Sequence, residues 1–247
     1  MNTISTLKEI FEQWSHDVPT DYGQQQWLLS KWEVYEGVPW PRGKFDMMLQ
    51  SIKDNLQIKH DGCLIDLGCG GGWILRSLQE CVSSAYGLDF AQGMLRSAHR
   101  MFLDGRLVCA EIGNLPFRDG TFDYVLSYFV FLNVINDHYI EKSLKEIIRV
   151  LRKGGRALIG QMPDKAKSPD YEQAKESYLR YCQKNFRMGK NMREIHRPPS
   201  RLFDKSALAA FLASEKISYE LLKSFNPFYR EGEPSLIDWR FDLLLKR

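Results

Sequence analysis

The segment Asp66-Leu67-Gly68-Cys69-Gly70-Gly71-Gly72 joins one acid to four glycines at the end of a short apolar run, Cys63 to Leu67. Glycines let a backbone approach a ligand closely, and a helix starting at Trp73 would offer unpaired N–H groups at the same place. A strand that runs into such a turn and then a helix is a nucleotide or cofactor site. Two common ligands fit it poorly. The dinucleotide fingerprint G-x-G-x-x-G needs glycine where this chain has Trp73. A phosphate-binding P-loop needs Gly-Lys followed by Ser or Thr, which the chain lacks. Asp66 instead heads the pattern Asp-x-Gly-x-Gly-x-Gly, where a carboxylate repels a pyrophosphate and suits a ligand carrying positive charge. The plainer alternative for Asp66 is a turn residue that caps the next helix.

The stretch resembles motif I of the class I S-adenosylmethionine methyltransferases, whose cofactor carries an ammonium and a sulfonium. The resemblance continues along the chain. Asp89, in Gly87-Leu88-Asp89-Phe90, stands 23 residues after Asp66, where that family places an acid for both ribose hydroxyls. It is equally suited to cap a helix beginning at Ala91. Glu111-Ile112-Gly113-Asn114-Leu115-Pro116-Phe117 fills the slot of the family's adenine-facing Asp, with a Glu whose reach is one methylene longer. Phe122-Asp123-Tyr124-Val125 matches the fourth strand. Glu146 to Gly155 matches the helix and turn before the fifth, with Lys153 in place of the usual Pro. Each motif alone is weak; five in order at the expected spacing are strong.

The resemblance covers roughly residues 60–162 and is nearest the small-molecule branch often labelled methyltransferase type 11. It implies an α/β fold: a Rossmann-like, seven-stranded, mostly parallel sheet with helices on both faces, a final antiparallel strand pair and a helical cap. It implies S-adenosyl-L-methionine as cofactor, held by Asp66, Gly68, Cys69, Gly70, Gly72, Asp89, Phe90, Met94, Glu111, Ile112 and Ser127. The expected organisation is an N-terminal helical cap segment over 1–55 and a core over 56–247, with a cap or substrate insertion at about 163–204.

Periodicity independently places the elements that position these residues. Strands are expected at Cys63–Leu67, Ser84–Leu88, Arg106–Cys109, Phe122–Phe129 and Arg156–Gly160, with later ones at Ile217–Phe225 and Leu236–Leu245. Helices are expected at Gly43–Asn55, Trp73–Glu80, Ala91–Phe102, Ile140–Leu151 and Lys205–Ala213. Leu144, Ile147, Ile148 and Leu151 mark the apolar face of the fourth of these helices. Continuous apolar strands separated by helices imply a parallel sheet covered on both faces.

Composition narrows the setting. The formal net charge is +3, too small to imply a nucleic acid or an anionic membrane. Cys63, Cys69, Cys81, Cys109 and Cys182 lack CxxC spacing, which argues against a disulfide framework and against a metal site. Lys8, Glu9 and Glu12 leave no readable signal peptide. The apolar run from Tyr124 to Ile135 is too short to cross a bilayer. The expected location is a reducing cytoplasm.

A methyltransferase of this kind aligns a nucleophile with an activated methyl group and needs a base only when the acceptor must lose a proton. His138, at a helix start, and His196, in the basic segment, are the candidate bases; His60 and His99 are expected on the surface. Tyr22, Trp27, Trp40, Tyr128 and Asn133 are the candidate acceptor-pocket residues, with Arg197 available to hold a carboxylate or phosphate. Tryptophans that pack the cap, and a solvated basic face, explain the same residues. Cys182 lacks a Pro-Cys context, and Ser127-Tyr128-Phe129-Val130 is not the Asn/Asp-Pro-Pro-Tyr segment used on base amines. Both features argue against a nucleic acid acceptor. The expected reaction is methyl transfer to O, N or C of a small organic acceptor. The alternatives are a protein or tRNA methyltransferase, or an inactive cofactor-binding partner subunit.

Overall fold

The computed structural model describes residues 4–15, 42–101, 106–134, 136–169, 201–224 and 240–247. Helix α1 (Ile4–Ser15) and helix α2 (Arg42–Leu56) precede an alternation of strands and helices. These are β1 (Cys63–Leu67), α3 (Trp73–Leu78), β2 (Ser84–Asp89), α4 (Gln92–Met101), β3 (Leu107–Cys109), β4 (Phe122–Tyr128), α5 (Asp137–Val150) and β5 (Leu151–Pro163). Helix α6 (Lys205–Ser214), β6 (Ser218–Lys223) and β7 (Arg240–Lys246) follow. The strands form one seven-stranded sheet in the order β3-β2-β1-β4-β5-β7-β6. β1 to β5 pair in parallel, and β7 runs antiparallel to both β5 and β6.

Successive residues of a strand point to opposite faces, and the core follows that rule. Ile65, Val125, Ile159 and Leu243 join one apolar cluster; Leu64, Leu126, Leu158 and Leu244 join the other. The first face is covered by Ile140, Leu144 and Ile147 of α5 and by Leu208 and Leu212 of α6. The second is covered by Met48, Leu49, Ile52 and Leu56 of α2, with Leu75 and Leu78 of α3. Two apolar faces, each sheathed by helices, explain why the strands read as continuous apolar runs.

Three boundaries differ from the expected ones for physical reasons. β5 runs from Leu151 to Pro163, well beyond Arg156–Gly160. Leu151 pairs with Phe122 before a register shift, and β7 continues the pairing past a bulge to Met162 and Pro163. α5 begins at Asp137, ahead of Ile140, because the Asn136 side chain accepts from Tyr139 N and caps the helix early. α3 ends at Leu78 and tightens into a 3-10 turn, Gln79–Cys81. Residues 236–239, expected at the start of the last strand, lie outside the described residues.

Among the described residues no helix is long and apolar enough to cross a membrane. None of them form a group of three or more His, Cys, Asp or Glu placed to hold a metal. Cys63, Cys69, Cys81 and Cys109 are free thiols.

Candidate cofactor site

The glycine loop hangs between β1 and β2. Gly68 N and Cys69 N both donate to Leu88 O, at 2.6 and 3.0 Å, so the loop folds back on the end of the neighbouring strand. Gly68, Gly70 and Gly72 adopt φ of +78°, +51° and +85°. At Gly68 the need for glycine is double: the φ is left-handed, and a Cβ would stand 2.5 Å from Val130 Cγ2.

Two acids stand at this end of the sheet, on adjacent parallel strands whose register places Asp66 beside Gly87. Asp66 is 3% exposed and Asp89 5%. Asp89 is tied down by its own chain. Oδ2 accepts from Gly70 N and Oδ1 from Ala91 N, each at 2.9 Å. One carboxylate thus joins the glycine loop to the β2–α4 turn. Asp89 thus caps the turn before α4, as the plainer of its two expected roles has it. Burial pushes its pKa up to about 6, against hydrogen bonds from the backbone N–H groups of Ala91, Gly70 and Phe90. Asp66 is pushed up further, to about 7, by burial and then by the charge of Asp89; both influences act in the same direction. Burial also drives the Cys69 thiol upward, which suits packing and not nucleophilic attack.

The expected residues fall into three groups. Gly68, Cys69, Gly70 and Asp89 are brought together by the hydrogen bonds above; Gly72 N donates to Cys69 O at 2.8 Å, and Asp66 stands on β1 beside Gly87. Phe90 and Met94 follow on the β2–α4 turn and the first turns of α4, with Met94 and Ala91 buried against Phe90 and Phe11. Glu111 and Ile112 lie after β3, which pairs with β2 on the same side. Glu111 is exposed and Ile112 buried. Ser127 is fully buried, and its Oγ donates to Leu67 O at 3.0 Å, so its hydroxyl braces β4 against the start of the loop.

The acceptor-side residues are more scattered. Tyr128 is buried, its hydroxyl 3.4 Å from Asp242 Oδ2 and 3.3 Å from Gln161 Nε2. Asn133 is half-buried in the turn after β4 and donates to Phe129 O at 3.2 Å. His138 lies exposed in the first turn of α5; His60 and His99 are exposed as expected. Tyr22, Trp27, Trp40, His196 and Arg197 lie outside the described residues.

Several contributors escaped the sequence. Tyr139 accepts from Gly113 N at 3.3 Å and lies close enough to Glu111 to feel its charge, so it steadies the loop that carries Glu111. It sits one residue after His138, where only the polar Asn136-Asp137 helix start was legible. Arg149 and Glu146 clamp the Leu115–Asp119 loop: Glu146 accepts from Leu115 N, and Arg149 donates to Leu115 O, Phe117 O and Asp119. Glu12 of α1 reaches the first turn of α4 across 80 residues, and no sequence pattern signals that contact.

Residues 65–159 match the sequence profile of the family described as "Methyltransferase domain". That segment is similar to the methyltransferase domain family, and the whole sheet shares the fold of solved methyltransferases. A demethylmenaquinone methyltransferase of Thermus thermophilus is 34% identical over 130 residues, 50% of this chain and 54% of that one. A solved S-adenosylmethionine-dependent methyltransferase from Clostridium acetobutylicum shares the fold with a TM-score of 0.61, over 91% of this chain and 98% of that one, at 15% identity. One from Thermotoga maritima does so at 0.59, over 97% and 99%, at 19% identity. The chain spans 60%, 40% and 54% of the first curated relatives it matches. Both solved neighbours are described as S-adenosylmethionine-dependent, and the matched segment of this chain contains Asp66, the glycine loop, Asp89 and Glu111. Two buried acids with raised pKa values fit a ligand that brings its own positive charge.

Proposed function

We propose that this chain transfers a methyl group from S-adenosyl-L-methionine to a small organic acceptor. The observation that carries the reading is the buried Asp66–Asp89 pair beside a left-handed glycine loop at the ends of two parallel strands. Asp66 holds the cationic methionine end. Asp89 offers its remaining lone pairs to the ribose hydroxyls while it keeps the loop in place. Phe90, Met94 and Ile112 line the adenine, and Glu111, steadied by Tyr139, accepts from the adenine amino group. Gly68, Cys69, Gly70 and Gly72 let the backbone come close, and Ser127 braces the strand end behind them.

The bound cofactor supplies a methyl group already activated on a sulfonium. The chain's part is to orient the acceptor in line with it and to exclude water. Asn133 and Tyr128 stand at the acceptor end of β4, and His138 serves as proton acceptor where the nucleophile is a hydroxyl. Support for a small-molecule acceptor comes from relatives named as demethylmenaquinone methyltransferases. The cap over residues 1–55, the insertion at about 163–204, with Tyr22, Trp27, Trp40, His196 and Arg197, and a cytoplasmic setting belong to the same proposal.

Calorimetric titration with S-adenosylmethionine, followed by a metabolite panel with radiolabelled cofactor, tests it. Saturable binding with label transfer to a small molecule is expected. Absence of binding would sink the reading, and transfer only to protein or tRNA would replace the acceptor class.

A further inference from the structure

Helix α1 is fitted to the cofactor half of the molecule in a way that packing alone does not require. Glu12 places both carboxylate oxygens on the first turn of α4: Oε1 accepts from Gln92 N at 2.6 Å and Oε2 from Gly93 N at 2.8 Å. These are N–H groups that a helix start leaves unpaired, and a carboxylate is the group best suited to take them. Arg96, 3.9 Å away, holds the same carboxylate from the next turn. The α4 sequence is shaped to receive the contact. A Cβ on Gly93 would stand 1.9 Å from Ser15 Oγ and 2.6 Å from Glu12 Oε2, so only glycine admits α1 this closely. One turn-residue earlier, Phe11 meets Phe90 edge-on with ring centroids 5.6 Å apart, over the buried Ala91 and Met94.

The segment pinned in this way is the one that carries Asp89. Glu12 fixes Gln92 and Gly93; Ala91 N donates to Asp89; Asp89 accepts from Gly70 in the glycine loop. A chain of hydrogen bonds therefore runs from the N-terminal helix to the loop, through the turn whose Phe90 and Met94 are assigned to the adenine. The charge of Glu12 is felt at Asp89, among the influences that raise its pKa. An exposed helix that only decorated the fold would have no reason to place a carboxylate, a matched glycine and an aromatic pair on this one turn.

We propose that α1 is part of the cofactor site: Glu12 and Phe11 are positioning residues that hold the β2–α4 turn in the shape that takes the adenosine end of the cofactor. The proposal rests on the cofactor reading above. It makes the affinity and dwell time of the cofactor depend on Glu12 and Phe11, which act through the β2–α4 turn.

The test uses the full chain, with S-adenosylmethionine titrated by calorimetry and its dissociation followed by stopped flow. Glu12→Ala removes a two-pronged cap from the turn that carries Asp89, and binding is expected to weaken about fivefold. That weakening is expected chiefly as faster dissociation. Glu12→Gln keeps one carbonyl acceptor and is expected to recover part of the loss. Phe11→Ala is expected to weaken binding in the same direction. Glu9→Ala, an exposed acid of the same helix, is expected to match wild type. Wild-type affinity in Glu12→Ala, or tighter binding, overturns the proposal. So does an equal loss in Glu9→Ala, which would assign the effect to general acidity, or an equal loss in Glu12→Ala and Glu12→Gln, which would assign it to charge without hydrogen bonding. Failure of the wild-type chain to bind S-adenosylmethionine sinks the cofactor reading itself, and with it this one, whatever the variants do.

Discussion

Two buried acids stand at the same end of one sheet in opposite circumstances. Asp66, on β1, meets burial and the neighbouring charge of Asp89, and both drive its pKa up, to about 7. Asp242, on β7, is 1% exposed, yet it is served by its own chain. Gln161 N donates to it at 2.8 Å, Tyr128 and Ser224 reach it with hydroxyl groups, and the Arg240 charge helps. Its pKa still rises, to about 6, because burial outweighs those partners. Gln161 closes the network by donating to Ser224 at 2.6 Å and accepting from Arg240 at 3.0 Å. A buried carboxylate costs free energy unless something satisfies it. Around Asp242 the fold supplies the partners. Around Asp66 it supplies repulsion, which a cationic ligand would relieve. The difference separates an acid served by the fold from the one proposed to bind the cofactor.

The largest effect should come from breaking the satisfied acid. Asp242→Ala strands three donors, on Gln161, Tyr128 and Ser224, and each buried unpaired donor costs about 1–3 kcal/mol. With partial relaxation a loss of about 3 kcal/mol is expected in urea unfolding. S-adenosylmethionine affinity is expected to stay within about twofold of wild type once the variant is folded. A stable Asp242→Ala that loses cofactor binding would reverse the two roles.

On the cofactor side the two acids should themselves divide. Asp89→Ala frees the N–H groups of Ala91 and Gly70, so it should lower both stability, by about 1–2 kcal/mol, and cofactor affinity, by at least about tenfold. Asp66→Ala should cost affinity alone, about tenfold or 1.4 kcal/mol, with the melting temperature of the cofactor-free chain unchanged or raised. Equal destabilisation by both would show that Asp66 has partners of the Asp242 kind.

Much of this site was legible because turn chemistry is local. Asp66 and the glycines are neighbours in sequence, and the strand–loop–helix alternation carries Asp89 to the next strand end at a fixed spacing. The fold followed from the same alternation, since continuous apolar strands with helices between them admit few other arrangements. Asp242 was not legible. In Arg240-Phe241-Asp242-Leu243-Leu244-Leu245 it reads as one polar interruption of a strand, and its partners lie 81 and 114 residues away. Glu12 was hidden for the same reason. The extension of β5 was hidden because Gln161 breaks the alternation and Pro163 reads as an ending, while pairing with β7 overrides both.

A smaller effect is expected from pH. Each of these acids has a folded pKa raised above its unfolded value, so its stabilising contribution is fully present below about pH 4. It is lost as pH rises through about 6 for Asp89 and Asp242, and through about 7 for Asp66. The cofactor-free chain should therefore lose stability across pH 4 to 7 in thermal melts. Asp66→Ala should abolish the fall between about 6 and 7, where Asp66 alone still differs in protonation between the two states, and make it shallower between about 4 and 6.

The central claim is that Asp66, held by the fold against burial and the charge of Asp89, is the acid that binds the cationic ligand. Its most direct test is the proton balance of S-adenosylmethionine binding, measured by calorimetry at pH 6 in two buffers of different ionisation enthalpy. With Asp66 near pKa 7, a cation seated beside it should expel close to one proton, and the Asp66→Ala variant should expel little. Binding of normal affinity with no proton release, or the same release from the variant, would contradict the account.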